Sequence, residues 1–259
     1  MSKNVIYCFS GTGNSLFVAK RLANKLGDCD IYPITEQAGA SLAGKEKIGL
    51  VFPTYFGGLP AIVDGFLKKS EWQQVKNAYV FCIVTAGGNA AKTVRSCELA
   101  LKAQGVKLNY GKTVYLPTNY ILWHNVPGNR EQFYQKAEVK LDEIVKAISE
   151  QKQNQTLPGI FLFDLVYNHY INQKADRYFK VGDSCNGCAT CVRVCPVNNI
   201  RITKHKPEYL GHCQQCLACL HYCPNQAIEA KGSKGRPRIT HPHISVKEIS
   251  DFHHKKEGE

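Results

Sequence analysis

Asn4-Val5-Ile6-Tyr7-Cys8-Phe9-Ser10-Gly11-Thr12-Gly13-Asn14-Ser15 passes from a continuous apolar run straight into glycines and hydroxyls. The run reads as a buried strand and the small residues as a turn. Leu16, Phe17, Ala19, Leu22, Ala23 and Leu26 then recur at helical spacing, with Asn14 or Ser15 available to cap the helix. The same succession repeats downstream. Asp30 to Ile34, Ile48 to Pro53 and Tyr79 to Val84 read as strands, Ala61 to Lys68 and residues 90–104 as helices. Val106 to Leu108 and Val114 to Leu116 read as a fifth strand in two parts. Short apolar strands alternating with helices predict a parallel sheet covered on both faces. Five such units predict an α/β, doubly wound, five-stranded sheet, with any ligand outside the carboxyl ends of its strands. Residues 131–149 carry a further helical stripe, and residues 159–181 read as a helical connector.

The loops at that end carry the chemistry. Backbone N–H groups at a helix N-terminus attract anions, and Gly11 and Gly13 let the chain curl round one. Hydroxyls without a lysine suit a monophosphate. The dinucleotide fingerprint would need glycine where Leu16 stands, and Gly105 to Gly111-Lys112-Thr113 is one residue too long for a P-loop. Pro53-Thr54-Tyr55-Phe56-Gly57 follows the third strand, and Thr85-Ala86-Gly87-Gly88-Asn89 the fourth. Tyr55 or Phe56 can stack on a flat ring, and the glycines allow close backbone approach. Pro117-Thr118-Asn119-Tyr120 follows the fifth strand and is expected to border the same crevice, while Trp123 and His124 read equally as crevice lining or as packing. The plain alternative is a set of ordinary turns with core aromatics. Ser10, Gly11, Thr12, Gly13, Asn14 and Ser15 resemble the flavodoxin phosphate loop. That resemblance implies FMN as the ligand of the three loops.

Eight of twelve cysteines fall between Cys185 and Cys223, a density that points to metal. Cys8, Cys29, Cys82 and Cys97 are scattered among apolar neighbours and read as small buried hydrophobes. Cys185-Asn186-Gly187-Cys188-Ala189-Thr190-Cys191-Val192-Arg193-Val194-Cys195-Pro196 repeats as Cys213 to Pro224, every cysteine and the proline offset by 28. This is C-x2-C-x2-C-x3-C-P twice, the bacterial ferredoxin run, in which the fourth cysteine ligates the other cluster. The assignment is Cys185, Cys188, Cys191 and Cys223 for one cluster, and Cys213, Cys216, Cys219 and Cys195 for the other. Zinc sites use paired C-x2-C knuckles and would not call for three in a row plus Cys-Pro, twice.

Residues 182–230 resemble two-cluster ferredoxins, which implies two [4Fe-4S] clusters in a small α+β domain. The whole chain resembles fusions of a flavodoxin-like domain to such a ferredoxin, found in anaerobic bacteria and archaea. The resemblance implies residues 1–150 as the FMN domain, 151–181 as connector, 182–230 as cluster domain and 231–259 as tail. It implies an electron-transfer flavoprotein working with a redox protein or a small electron acceptor. The alternatives are a flavin-dependent reductase of a small organic substrate and a redox sensor with clusters and no flavin.

The formal charge is +12, with no dense basic run. Two clusters of about −2 each would bring it to about +8, so nucleic acid is not expected as a partner. No apolar run reaches the ~18 residues of a membrane span, and no signal peptide opens the sequence, so a cytoplasmic location is expected. His241, His243, His253 and His254 read as solvated tail residues, and Gly235-Arg236-Pro237-Arg238 as an exposed basic loop.

Overall fold

Strands β1 (Asn4–Cys8), β2 (Cys29–Pro33), β3 (Lys47–Pro53), β4 (Tyr79–Ala86) and β5 (Tyr110–Tyr115) form one sheet in the order β2-β1-β3-β4-β5. Every neighbouring pair is parallel. This is the flavodoxin-like order. The computed structural model describes residues 2–35, 42–75, 77–90, 92–156, 167 and 175–256. Helices α1 (Asn14–Leu26), α2 (Ala61–Lys69), α3 (Thr93–Ala103) and α4 (Arg130–Ser149) cover the sheet.

The two-residue period of a strand sorts the core. Val5, Tyr7, Leu50, Phe52, Cys82 and Val84 pack with Ile62, Val63, Phe66 and Leu67 of α2 and with Cys97 and Leu101 of α3. Ile6, Cys8, Val51, Phe81 and Ile83 face the other way, onto Leu16, Ala19 and Leu22 of α1 and Leu141, Ile144 and Ile148 of α4.

Two local expectations are corrected. Val106 and Leu108 are buried but lie outside β5, because Asn109 interrupts the ladder. Its N–H donates to Val80 O at 2.8 Å while its Oδ1 accepts from Val80 N at 2.8 Å. The residue that opens α1 is Gly13, at φ 100°, rather than Asn14 or Ser15. Those two side chains instead reach the loop after β5 and the end of β4. Asn14 Nδ2 donates to Pro117 O at 3.1 Å, and Ser15 Oγ lies 2.7 Å from Thr85 Oγ1.

In the cysteine-rich part, β6 (Lys180–Val181) pairs antiparallel with β9 (Ile228–Glu229), and β7 (Ile200–Thr203) with β8 (Lys206–Tyr209). Short helices α5 (Thr190–Arg193) and α6 (Ala218–His221) stand at equivalent places in the two motifs. The 28-residue repeat is therefore visible in the backbone. Ala189 and Leu217 each enter their helix at φ 58°, a left-handed conformation, and Val194 and Tyr222 each leave at φ −88°. Within the connector, residues 157–166 and 168–174 lie outside the described residues. Helix α7 (Val246–His253) closes the chain and is docked. The solvated-tail reading is overturned at His241 and His253, which are 1% and 6% exposed. No helix among the described residues is long and apolar enough to cross a membrane.

Candidate functional site

A cavity of about 530 Å³ opens at the carboxyl ends of β1, β3, β4 and β5. That volume falls in the range of small-molecule and cofactor sites. It gathers Ser10, Gly11, Thr12, Asn14, Ser15, Pro53, Thr54, Tyr55, Phe56, Gly57, Thr85, Ala86, Gly87, Gly88 and Asn89. Of the residues named from the sequence for these loops, Gly13 alone does not line it. Gly13 shapes the turn instead, its N–H donating to Ser10 Oγ at 3.2 Å.

The first turn of α1 leaves unpaired backbone N–H groups by construction, and here that turn borders the cavity beside the buried hydroxyls of Ser10, Thr12 and Ser15. Asn119 Nδ2 donates to Thr12 Oγ1, which ties the loop after β5 to the first loop. The loop after β3 is a tight hairpin. Tyr55 N donates to Gly58 O at 3.0 Å and Gly58 N to Tyr55 O at 2.9 Å. Its two central residues, Phe56 and Gly57, take φ of 51° and 78°. A phenylalanine there is strained, and such strain concentrates at ligand sites. The turn aims Phe56 at Tyr120 and Trp123, with ring centroids 5.6 Å away in both cases. Tyr55 packs edge-on against Phe9 at 6.0 Å, and burial pushes its phenol pKa up.

The cysteine-rich part supplies another wall. Gln215, Cys216 and Leu217 line the same cavity. A side chain on Gly11 would overlap the Cys216 carbonyl, so the two loops touch backbone to backbone. No local sequence signal marks this contact, since it joins residues about two hundred positions apart.

The eight cysteines fall into two groups that cross between the motifs. Cys185, Cys188, Cys191 and Cys223 line one small cleft. Cys195, Cys213, Cys216 and Cys219 are mutual neighbours on the cavity side. Asn199 N donates to Cys195 Sγ at 3.2 Å, and Ala227 N to Cys223 Sγ at 3.3 Å, again 28 residues apart. Burial pushes the Cys191 thiol up to about 11 and Cys213 up to about 12. Cys188, the exposed member, is lowered by its hydrogen bond with Thr190. Buried thiols held this way stay protonated unless a cationic partner stands beside them. Among the described residues no three His, Cys, Asp or Glu side chains converge closely enough to hold a single metal ion.

A family model for a 4Fe-4S binding domain matches residues 179–201. The chain joins a flavodoxin-like domain to a 4Fe-4S binding domain. Solved structures similar to it include the two-electron reduced flavodoxin of Megasphaera elsdenii, at 16% identity over 53% of this chain and 98% of that one, with a TM-score of 0.37. A flavodoxin from the domain Archaea is 13% identical over 55% of this chain and 98% of its own, TM-score 0.38. An FMN-dependent NADH-azoreductase from Bacillus anthracis, solved with FMN, is 9% identical over 57% and 99%, TM-score 0.40. The strand order, and not these likenesses, carries the fold. A search of curated proteins finds no match.

The segment after the 4Fe-4S domain straps the flavodoxin-like domain to it. Arg236 Nη1 donates to Ile121 O at 2.7 Å and to His124 O at 2.8 Å, so the basic loop is a clamp rather than a free surface. His241 N donates to Thr12 O at 2.8 Å, and the ring stacks on Phe17 at 4.1 Å.

His241 gives a pH prediction. Burial pulls its pKa down to about 4, below the usual ~6.5. The folded state then binds fewer protons than the unfolded one, so stability is full above pH ~6.5 and drains as pH falls toward 4. The loss is on the order of 3 kcal/mol at most. Urea midpoints taken from pH 7 to 4.5 should fall more steeply in the wild type than in His241→Gln. Parallel curves would refute the assignment.

Proposed function

We propose that the chain is an iron–sulfur flavoprotein that transfers electrons between FMN in the cavity and two [4Fe-4S] clusters, in exchange with a redox protein or a small electron acceptor. One observation carries this reading: the loop bearing Cys216 is itself a wall of the cavity. In this reading residues 1–150 form the flavin domain, 151–181 the connector, 182–230 the cluster domain and 231–259 the strap.

The residues present fit both groups. Ser10, Gly11, Thr12, Asn14 and Ser15 would hold the FMN phosphate with hydroxyls and helix-terminal N–H groups. Pro53 to Gly57 and Thr85 to Asn89 would frame the ring, with the Phe56 aromatic face excluding water on one side. Cys195, Cys213, Cys216 and Cys219 would hold an inner cluster, and Cys185, Cys188, Cys191 and Cys223 an outer one. Bound FMN supplies one- and two-electron chemistry, and each cluster supplies one-electron chemistry. In this reading the inner group, with Cys216 on the cavity wall, would stand nearer the flavin, and the outer group would carry the exposed Cys188. The N–H groups of Asn199 and Ala227 on sulfur would tune the two potentials separately.

Cofactor analysis of protein purified without oxygen tests this. About eight iron, eight sulfide and one FMN per chain are expected, since two cubane clusters carry four iron each. Photoreduction of the flavin should then bleach the cluster absorbance. Iron without flavin, even after FMN is added, would favour the sensor, and zinc would end the iron–sulfur reading.

A further inference from the structure

His253 is a buried ring whose two nitrogens both face carbonyl oxygens. Nδ1 lies 3.0 Å from Val194 O, and Nε2 lies 2.8 Å from Ser10 O. A carbonyl only accepts, and a neutral imidazole has only one N–H to give. With one proton on the ring, one of these contacts sets a lone pair against a lone pair. With two protons, both are hydrogen bonds to a cation. The neighbouring His221 shows the opposite arrangement. Its Nε2 lies 2.8 Å from Asn119 O, and its Nδ1 accepts from Ile239 N at 3.0 Å. That pairing satisfies a neutral ring completely, so the same interface holds two buried histidines built for different protonation states.

The two carbonyls also belong to different cofactor sites. Ser10 opens the proposed phosphate loop, and Val194 precedes Cys195 of the inner sulfur group. We propose that His253 is held as a buried imidazolium in the loaded protein, a positioning residue that ties the flavin loop and the inner cluster loop together and supplies a positive charge where the two loops meet. This rests on the cofactor reading above. For the polypeptide alone, burial draws the ring pKa down to about 4, while both carbonyl contacts push it back up. An anion on each side opposes the burial further, so loading the cofactors favours the proton.

The charged and titratable groups around it are few. On its own helical end His254 disfavours the charge. Its ring reaches Arg193 O at 3.0 Å, while the Arg193 guanidinium is turned onto Cys188 O and Thr190 Oγ1. Lys255 is turned away, its Nζ on Ile31 O at 2.9 Å. The loop Ser10 to Ser15 contains no titratable side chain. The charge therefore finds its compensation in the cofactors.

The test is ¹⁵N NMR of histidine-labelled holoprotein from pH 6 to 8, with His221→Gln and His253→Gln to assign the rings. Two protonated nitrogens are expected on His253 and one on His221. A His253 ring with one bare nitrogen throughout would overturn the proposal. Because glutamine can replace one donor but not the charge, His253→Gln should weaken FMN binding about tenfold, the usual scale for a charged hydrogen bond, and lower the inner cluster midpoint. His221→Gln should not lower that midpoint. Equal effects in the two variants would reduce His253 to a packing role. If the wild type takes up no flavin, the cofactor reading fails separately, and the ring spectrum of the cluster-loaded chain still answers the protonation question.

Discussion

Cys195→Ala is expected to empty the inner cluster site while leaving the first three cysteines of its own motif in place. Iron should fall from about eight to about four or fewer per chain. Electrons placed on the flavin should no longer bleach the outer cluster. The expectation follows from the crossing of the two groups. Cys195 belongs to the first motif in sequence, yet Cys213, Cys216 and Cys219 are its neighbours in space. Cys188→Ala is the matched control. It removes a ligand at the exposed end, so the outer cluster should be lost while the flavin still reduces the inner one. Electron paramagnetic resonance of the two variants distinguishes the signals. Loss of the same cluster in both would mean that ligation follows the sequence motifs and does not cross.

Gly11→Ala is expected to abolish flavin-to-cluster transfer and to weaken FMN binding at least tenfold. A methyl group there would overlap the Cys216 carbonyl and come within 2.9 Å of its Cβ. Neither partner can yield cheaply, because one is the turn into α1 and the other is the backbone of Cys216, a proposed cluster ligand. Overpacking of this kind costs about 1–3 kcal/mol, and it acts at the point where the two sites meet. Gly65→Ala is the control. Its Cβ would meet nothing within 4 Å, and it sits in α2. There the change should be neutral or mildly stabilising, by up to ~1 kcal/mol. Measurable transfer in Gly11→Ala at the wild-type rate would show that the contact is not on the route.

The centre of the sheet was legible because β1, β3 and β4 are nearly continuous apolar runs, whereas β5 carries Gly111, Lys112 and Thr113 and was placed too early in part. β4 is buried along its whole length, and its residues read as strand from composition alone. The two cysteine runs were legible because their spacing is a local pattern repeated at an offset of 28. The third wall of the cavity was not, since nothing near Gln215 to Leu217 in the sequence mentions Gly11. The strap was hidden for a different reason. His253 is followed by His254, Lys255 and Lys256, a polar run that masks a buried ring, and His241 sits in a short Pro-His segment with no apolar period to mark it as buried. Arg236 was hidden in the same way, because its partners are main-chain carbonyls, which any sequence provides.

The strap also has a consequence for the order in which the protein is made. A ribosome adds ~5–20 residues per second and domains fold as they emerge. The five strands are complete by residue 115, but Cys216 and Leu217 come about a hundred residues later, and Arg236 and His253 later still. A nascent flavodoxin-like domain thus has an unfinished pocket, open where the sulfur loop will sit. In the proposed reading, the full flavin pocket would form only once the segment meant to take its electrons has been synthesised. A half-made chain would then lack the wall that completes the pocket.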